Sequence, residues 1–348
     1  MGKIRIWLTL LVFGVVTVLS GCSACEEVKL KAYEKTFFVM DTVVSVQIYT
    51  DSEAKANLVL DRVDARMEEL EGILSAHLPD SDVAKLDGLG GIEPVPVNSA
   101  TLAVIGTALD YAQRTGGAFD ITLAPVLRLY NFSPGNERRP SQTQLKEALS
   151  LVDWQRVELN PETGTVYLTE AGMNIDLGGV AKGYIIDRCL DILRENGIEF
   201  GLINAGGDIG LLAGKPDGSP WRVGLKNPET PSANFAIIEV SQGAIATSGD
   251  YERFFIEGGK RYHHIIDPRT GMPADKVRSV TILAGNAQVA DLLSTAVFVM
   301  GPEQGLAFVE GLQDVEAVIW DGEGRVHWSS GLVRVPGSGS VDYYFRRP

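Results

Sequence analysis

Apolar and polar residues first alternate at Val44, Val46 and Ile48 against Ser45 and Gln47, inside a stretch from Lys35 to Tyr49 rich in β-branched and aromatic residues. That period of two predicts a half-buried strand. Behind Asp51 or Ser52, either of which can act as an N-cap, Leu60, Val63, Met67, Leu70 and Leu74 fall at three- and four-residue steps and predict an amphipathic helix. A second helix is predicted from about Ser99 to Thr115, with Leu102, Ile105, Leu109 and Ala112 on one face and Gly116-Gly117 ending it. Both stripes are core-packing faces. Residues Ser133 to Ser141 hold Pro, Gly, Asn and a Glu-Arg-Arg run and read as a surface loop, a candidate boundary between two lobes. From Arg156 onward short strands dominate: around Val157, Val166 to Leu168, Asn174 to Leu177, Gly201 to Asn204, Trp221 to Leu225, Phe235 to Val240 and Ser279 to Ala284. Helices punctuate them at about Ala181 to Asn196, Gln288 to Met300 and Pro302 to Gly311. Strand clusters with helices between them predict an α+β fold and not a doubly wound parallel sheet.

Composition narrows the function. The chain has 348 residues, 45% of them hydrophobic, which suits one large or two modest globular domains. A formal charge of -14 with no basic stripe argues against a nucleic-acid partner. The N-terminus differs from the rest. Lys3 and Arg5 precede an apolar run from Ile6 to Leu19, followed by Leu19-Ser20-Gly21-Cys22. A basic start, a short apolar run and small residues describe an export signal, and the tetrapeptide resembles a bacterial lipobox. That resemblance implies a signal peptide over residues 1–21, a lipidated Cys22, a flexible tether over 22–34 and a folded domain over 35–348. The protein would then sit in the bacterial cell envelope, anchored to a membrane by lipid and facing the periplasm or the exterior; a plain signal peptide or an uncleaved anchor is the alternative. Cys25 and Cys189 suggest neither a disulfide framework nor a thiolate metal site, and Cys189 reads as core.

Candidate chemistry begins at Asn174 to Asp187, an extended piece ending in Asp176, a Gly178-Gly179 pair and a helix start carrying Lys182. A loop without Cβ atoms lets a ligand touch the backbone, and a helix N-terminus favours an anion, so a phosphorylated ligand fits here. A tight strand-to-helix turn would look the same, and the spacing is not that of a dinucleotide-binding fold. Asn204-Ala205-Gly206-Gly207-Asp208 and Thr247-Ser248-Gly249-Asp250-Tyr251 are two further glycine-bearing loops, and Asn204, Gly206, Gly207, Asp208, Thr247, Ser248 and Gly249 are candidate ligand contacts. Asp291 and Thr295 stand one turn apart on a helix whose neighbours Ala290, Leu292, Ala296 and Val297 are apolar. Hard oxygens stacked this way suit Mg²⁺, although such a pair often only satisfies nearby backbone. His263-His264 supply two of the four histidines, and alternation turns only one of them inward.

Taken together these blocks resemble the bacterial ApbE family of FAD:protein FMN transferases. The match runs through Met40-Asp41-Thr42, Gly117 to Thr122, Asp176 to Tyr184, Asn204 to Asp208, Thr247 to Tyr251, His264 to Gly271, and Ala290-Asp291 to Thr295, in the family's order and over roughly residues 36 to 320. The resemblance implies an α+β, T-fold-related architecture of mixed, largely antiparallel sheets with packed helices and two interlocked lobes. It implies FAD contacts at Met40, Ala118, Phe119, Asp120, Asp176 and Lys182, metal ligation by Asp291, Thr295 and the Gly179 carbonyl, and a base at His264. Tyr130 stands where a tryptophan is common in the family. The implied reaction moves the FMN moiety of FAD onto a threonine or serine of an acceptor flavoprotein, a subunit of a redox complex or an exported protein, using Mg²⁺ and releasing AMP. An Mg²⁺-dependent FAD pyrophosphatase and a non-enzymatic flavin-binding lipoprotein remain as alternatives.

Overall fold

A computed structural model describes residues 29–230, 232–334 and 342–345. The signal segment, Cys22 and most of the expected tether lie outside these residues. The central element is an eight-stranded sheet in the spatial order Lys31–Val39, Thr42–Thr50, Gly201–Ala205, Asp208–Ala213, Gly243–Gly249, Val277–Ala284, Glu316–Asp321 and Val326–Trp328. All seven pairings are antiparallel. Helices Glu53–Leu74, Ala181–Glu195 and Ala287–Met300 cover one face and build the main core with Val44, Val46, Ile203, Ala246, Val280 and Ile282. A four-stranded sheet containing Trp221–Lys226 and Asn234–Val240 lies on the other, closing a smaller core around Leu211, Ile238, Ile245, Leu283 and Val318. Val277–Ala284 is sandwiched between both layers, so all of its residues but Arg278 are buried, with Val280 and Ile282 in the main core and Leu283 in the smaller one.

The stretch read as one strand from Lys35 to Tyr49 is two. Lys31–Val39 and Thr42–Thr50 pair as a hairpin whose two turn residues, Met40 and Asp41, both have positive φ, 57° and 54°. A two-residue turn of this hand matches the right-handed twist of paired strands, but it normally calls for Asn or Gly, so no turn signal marks it in the sequence. The first strand starts at Lys31, four residues inside the expected tether. Ser52 is the cap of the following helix, its hydroxyl accepting from Lys55 N–H at 3.3 Å.

Asn174 to Leu177 forms no strand. Ile175 and Leu177 are buried, which explains the alternation, but single hydrogen bonds hold the segment, from Ile175 N–H to Asp87 Oδ1 at 3.0 Å and from Asp176 N–H to the Ile121 carbonyl at 2.8 Å. Helices Asp82–Leu89 and Gln142–Leu149 were not anticipated, although Ser141 and Gln144 form a capping box whose S-x-x-Q signature is present in the sequence. The loop over 133–141 does not divide the core. The main cluster takes Phe119 and Ile121 from before it and Ile175 and Leu177 from after it, so any two lobes interlock through shared packing.

Candidate functional site

Two helices meet at Gly183 more closely than any side chain would allow. A Cβ there would stand 2.2 Å from the Ala287 carbonyl oxygen, so only glycine lets the first turn of Ala181–Glu195 touch the backbone of Ala287–Met300. The contact is fastened on both sides. Gly183 N–H donates to Asp291 Oδ2 at 3.0 Å, and one turn further on Asp187 accepts from Ala287 N–H at 2.8 Å and Gln288 N–H at 3.0 Å. Asp187 thus fixes the start of the second helix, and with it the face on which Asp291 and Thr295 stand.

Gly179 closes the site from the loop side. A Cβ on it would lie 3.2 Å from Phe119 Cε2 and 3.4 Å from Thr295 Oγ1, which places the glycine backbone beside the threonine hydroxyl and over the Phe119 ring. No side chain caps the helix at Val180. Gly179, more than a hundred residues away in sequence, therefore comes beside Thr295 and the helix that also carries Asp291.

The charges around them are unbalanced. Asp291 is buried, and its carboxylate accepts a hydrogen bond from Gly183; burial, and then the neighbouring charge of Asp208, push its pKa up to about 7 against the opposing pull of Lys182. Lys182 Nζ is in direct contact with Asp208 Oδ2. Burial by itself would lower the lysine, but the carboxylates of Asp208 and Asp291 outweigh it and hold the ammonium above its ordinary pKa. Among the described residues no group of three or more His, Cys, Asp or Glu is arranged to hold a metal ion. The hard oxygens of the buried Asp291 and of Thr295, with the Gly179 backbone beside the threonine, nevertheless fit a small hard cation that keeps water or phosphate in its other positions.

The two histidines divide as alternation predicts. His263 is buried, with Nε2 on the Ala274 carbonyl at 2.8 Å and Nδ1 accepting from Ile265 N–H at 3.3 Å, so both ring nitrogens are engaged. His264 is half-buried, and its Nδ1 faces the Arg253 carbonyl at 3.4 Å. A carbonyl can only accept, so the proton sits on Nδ1 and Nε2 is left with a free lone pair. Burial, the adjacent His263 and, more weakly, Arg253 and Lys182 depress the His264 pKa to about 4, leaving it a neutral proton acceptor.

Other expected contacts are only partly drawn in. Lys182 and Asp208 are at the centre, and the Gly206-Gly207 turn leads directly into Asp208. A Cβ on Gly206 would lie 2.5 Å from Thr42 Oγ1, which sets this turn against the Met40-Asp41 turn at one end of the sheet. Ala118 and Phe119 are buried alongside. Gly249 ends its strand against the Tyr251 ring. Asp120, by contrast, uses its carboxylate on Thr122 N–H at 2.8 Å, Thr122 Oγ1 at 2.6 Å and Trp154 N–H at 3.2 Å, and so holds its own turn. Asp176 accepts from Gly178 N–H at 2.7 Å and Asn204 from Gly207 N–H at 2.9 Å, each again shaping the loop that contains it.

Thr247 is a correction. It lies within the strand Gly243–Gly249 and not in a loop; its neighbour Ser248 reaches the site helix, so alternation turns Thr247 to the sheet's other face, where it bonds Thr281 Oγ1 at 2.8 Å. Asp250 is buried against Arg278 at 2.5 Å and Arg261 at 3.6 Å, a structural ion cluster. Tyr130 is core, its hydroxyl on the Gly271 carbonyl at 2.8 Å and its ring stacked on Phe132. Two participants went unnoticed in the sequence. Asp187 is one of many helical acids, and Ser294 sits on an apolar helix with nothing to single it out.

Comparison with known proteins points the same way. The chain is 34% identical over 336 residues to a FAD:protein FMN transferase of Treponema pallidum, covering 92% of this chain and 93% of that one. The crystal structure of the ApbE protein of Thermotoga maritima superposes with a TM-score of 0.79 at 34% identity, over 86% of this chain and 97% of the other. The flavin transferase ApbE of Vibrio cholerae gives a TM-score of 0.78 at 30% identity, over 87% and 98%. The sequence model of the ApbE family matches residues 40–319, and the chain belongs to that family.

Proposed function

We propose that this protein transfers the FMN moiety of FAD to a hydroxyl of an acceptor flavoprotein, with Mg²⁺ held by Asp291, Thr295 and the carbonyl of Gly179. The observation that carries the reading is the buried carboxylate of Asp291, stacked one helical turn from the Thr295 hydroxyl, which itself lies beside Gly179. The relatives' shared name, FAD:protein FMN transferase, supplies the substrate and the kind of acceptor.

In this reading the pyrophosphate of FAD lies against the backbone of Gly178 and Gly179 and the start of Ala181–Glu195, where the absence of Cβ atoms permits close approach and the helix dipole favours its charge. Lys182 adds a fixed cation, held in place by Asp208. The acceptor threonine or serine oxygen forms a bond to the FMN-side phosphorus, the bond from that phosphorus to the bridging oxygen breaks, and AMP leaves. His264 Nε2 takes the hydroxyl proton. Bound Mg²⁺ would neutralise charge developing on the phosphoryl oxygens. Outside the described residues, lipid on Cys22 would tether the domain at the cell-envelope membrane, on the side where exported acceptors reside.

The test is to incubate the protein with FAD, Mg²⁺ and an acceptor flavoprotein domain and run a denaturing gel. Flavin fluorescence on the acceptor band, lost when Mg²⁺ is chelated, is the expected result. Free FMN and AMP with an unlabelled acceptor would establish a pyrophosphatase instead, and FAD recovered intact would leave only a binder.

A further inference from the structure

Three hydroxyls stand in a row behind the proposed metal position, and the directions of their protons can be worked out. Ser294, buried on the helix Ala287–Met300, has its Oγ 2.7 Å from the Asp291 carbonyl oxygen. The carbonyl has no proton, so Ser294 is the donor and its single proton is used. Ser248, reaching across from the strand Gly243–Gly249, has its Oγ 2.7 Å from Ser294 Oγ. With the Ser294 proton already spent, Ser248 must donate to Ser294. Its own proton is then spent too, and in the longer 3.4 Å contact between Ser248 Oγ and Thr295 Oγ1 the only possible donor is Thr295. The row therefore runs from Thr295 to Ser248 to Ser294 to the Asp291 backbone. Its result is that no neighbouring hydroxyl can point a proton at the Thr295 lone pairs, which are left for a cation.

Resting on the metal reading above, we infer that Ser294 and Ser248 are positioning residues that set the proton direction of Thr295 and so make its oxygen a competent ligand. Neither needs to touch the ion. Removing Ser294 frees the Ser248 proton to turn onto Thr295, where it competes with the cation for a lone pair. Removing Ser248 leaves the Thr295 proton without an acceptor and free to rotate into the site. The row is anchored on the Asp291 backbone carbonyl, which fixes the direction of the Ser294 proton and through it that of Thr295. Outer partners of this kind typically change metal affinity by about 10–100-fold when removed.

The experiment is an equilibrium titration of Mn²⁺, followed by electron paramagnetic resonance, into the full-length protein saturated with FAD in the cold, with FAD alone as the control. The variants are Ser294→Ala, Ser248→Ala, Thr295→Val, Asp291→Ala and the double variant Ser294→Ala/Thr295→Val. Wild type binds Mn²⁺ and Asp291→Ala does not; Ser294→Ala and Ser248→Ala each bind about 10-fold more weakly or worse. The double variant is no weaker than Thr295→Val alone, because the serine acts only through the threonine. Flavin binding without metal, read by fluorescence quenching, is unchanged in Ser294→Ala, which separates a lost relay from a disturbed fold. Wild-type Mn²⁺ affinity in Ser294→Ala, or additive losses in the double variant, would overturn the relay while leaving the metal reading in place. Normal Mn²⁺ binding by Asp291→Ala, or none by wild type, would overturn both.

Discussion

Asp291 and Asp321 are both buried carboxylates at the ends of short backbone contacts, and they are treated in opposite ways. Asp321 closes the strand Glu316–Asp321 and accepts from the amides of Glu323 and Arg325 at 2.9 Å, from Arg325 Nε at 2.9 Å and from His327 Nε2 at 2.8 Å. Burial pushes its pKa up, yet these donors, led by His327, hold it well below the usual carboxylate range. Asp291 accepts from the amide of Gly183 at 3.0 Å and feels the Lys182 ammonium, yet burial and then the charge of Asp208 push it up to about 7. A carboxylate that only staples a turn brings its donors with it. Asp291 shares the nearby Lys182 ammonium with Asp208, so one cation faces two carboxylates, and a further positive charge from outside the chain would favour its anion.

The comparison is broken most directly by removing each charge in turn. Asp291→Asn is expected to lower transfer by roughly 10²–10³-fold or more, since the group that fixes the charge-neutralising ion is gone. Its fold should be as stable as wild type or more so, because an under-partnered buried charge has been removed. Asp321→Asn should do the reverse, keeping the rate per folded molecule while losing about 1–3 kcal/mol of stability as donors are left without acceptors. Thermal unfolding and initial rates on both variants decide it; an Asp291→Asn that unfolds, beside an Asp321→Asn that is inactive, would mean that the two roles have been exchanged.

Next in size is His264. With Nδ1 committed to the Arg253 carbonyl and a pKa depressed to about 4 by burial first and then by neighbouring positive charge, the ring is free base throughout the neutral range. His264→Ala is expected to lower the rate by about 10²–10⁴-fold with FAD affinity retained. At saturating Mg²⁺ the wild-type rate should hold from pH 8 down to about pH 5.5 and fall only as pH approaches 4, because that is where this base is lost. A rate that halves near the ordinary histidine value of about 6.5 would contradict the environment described for this ring.

Asp291 puts a different pH dependence on stability. A carboxyl raised from its ordinary value of about 3.9 to about 7 binds its proton more tightly in the native than in the unfolded chain, so the metal-free protein loses stability as pH rises through that window. Added Mg²⁺ replaces the proton. The rise in melting temperature on adding Mg²⁺ should therefore be small at pH 5 and grow through pH 7 to pH 8. A rise independent of pH would place the ion elsewhere.

These contrasts also show what could be read from the chain alone. Asp291 and Thr295 were legible as a pair because their relation is local, one turn of one helix, and the Gly178-Gly179 loop was legible because glycines in sequence make a turn in space. Lys182 and Asp208 stand apart in sequence and meet only through a strand crossing, as Ser248 and Ser294 do through packing of that helix on the sheet, and no periodicity carries such information. The Met40-Asp41 turn was missed for another reason: tertiary contacts, including Met40 N–H on Glu71 Oε1 at 3.0 Å, hold two ordinary residues at positive φ, and propensity says nothing there. Asp120, Asp176 and Asn204 each accept from a backbone amide within their own turn, so these side chains shape the loops that contain them, a role that spacing along the chain does not reveal.

The smallest effect sharpens the boundary of the site. Thr247 and Ser248 are adjacent, yet one bonds Thr281 across the sheet and the other enters the hydroxyl row, because successive residues of a strand face opposite ways. Thr247→Val keeps the shape and removes one hydrogen bond from the buried Thr281, so it should cost about 1 kcal/mol of stability and leave the rate and the Mg²⁺ requirement within about twofold of wild type. Ser248→Ala, one residue on, removes a bond to the equally buried Ser294 and should cost a similar amount of stability, but it should also shift the Mg²⁺ requirement. If Thr247→Val shifted the Mg²⁺ requirement as much as Ser248→Ala, the site would extend through the sheet to its second face, and the separation of reacting and supporting surfaces on this strand would not hold.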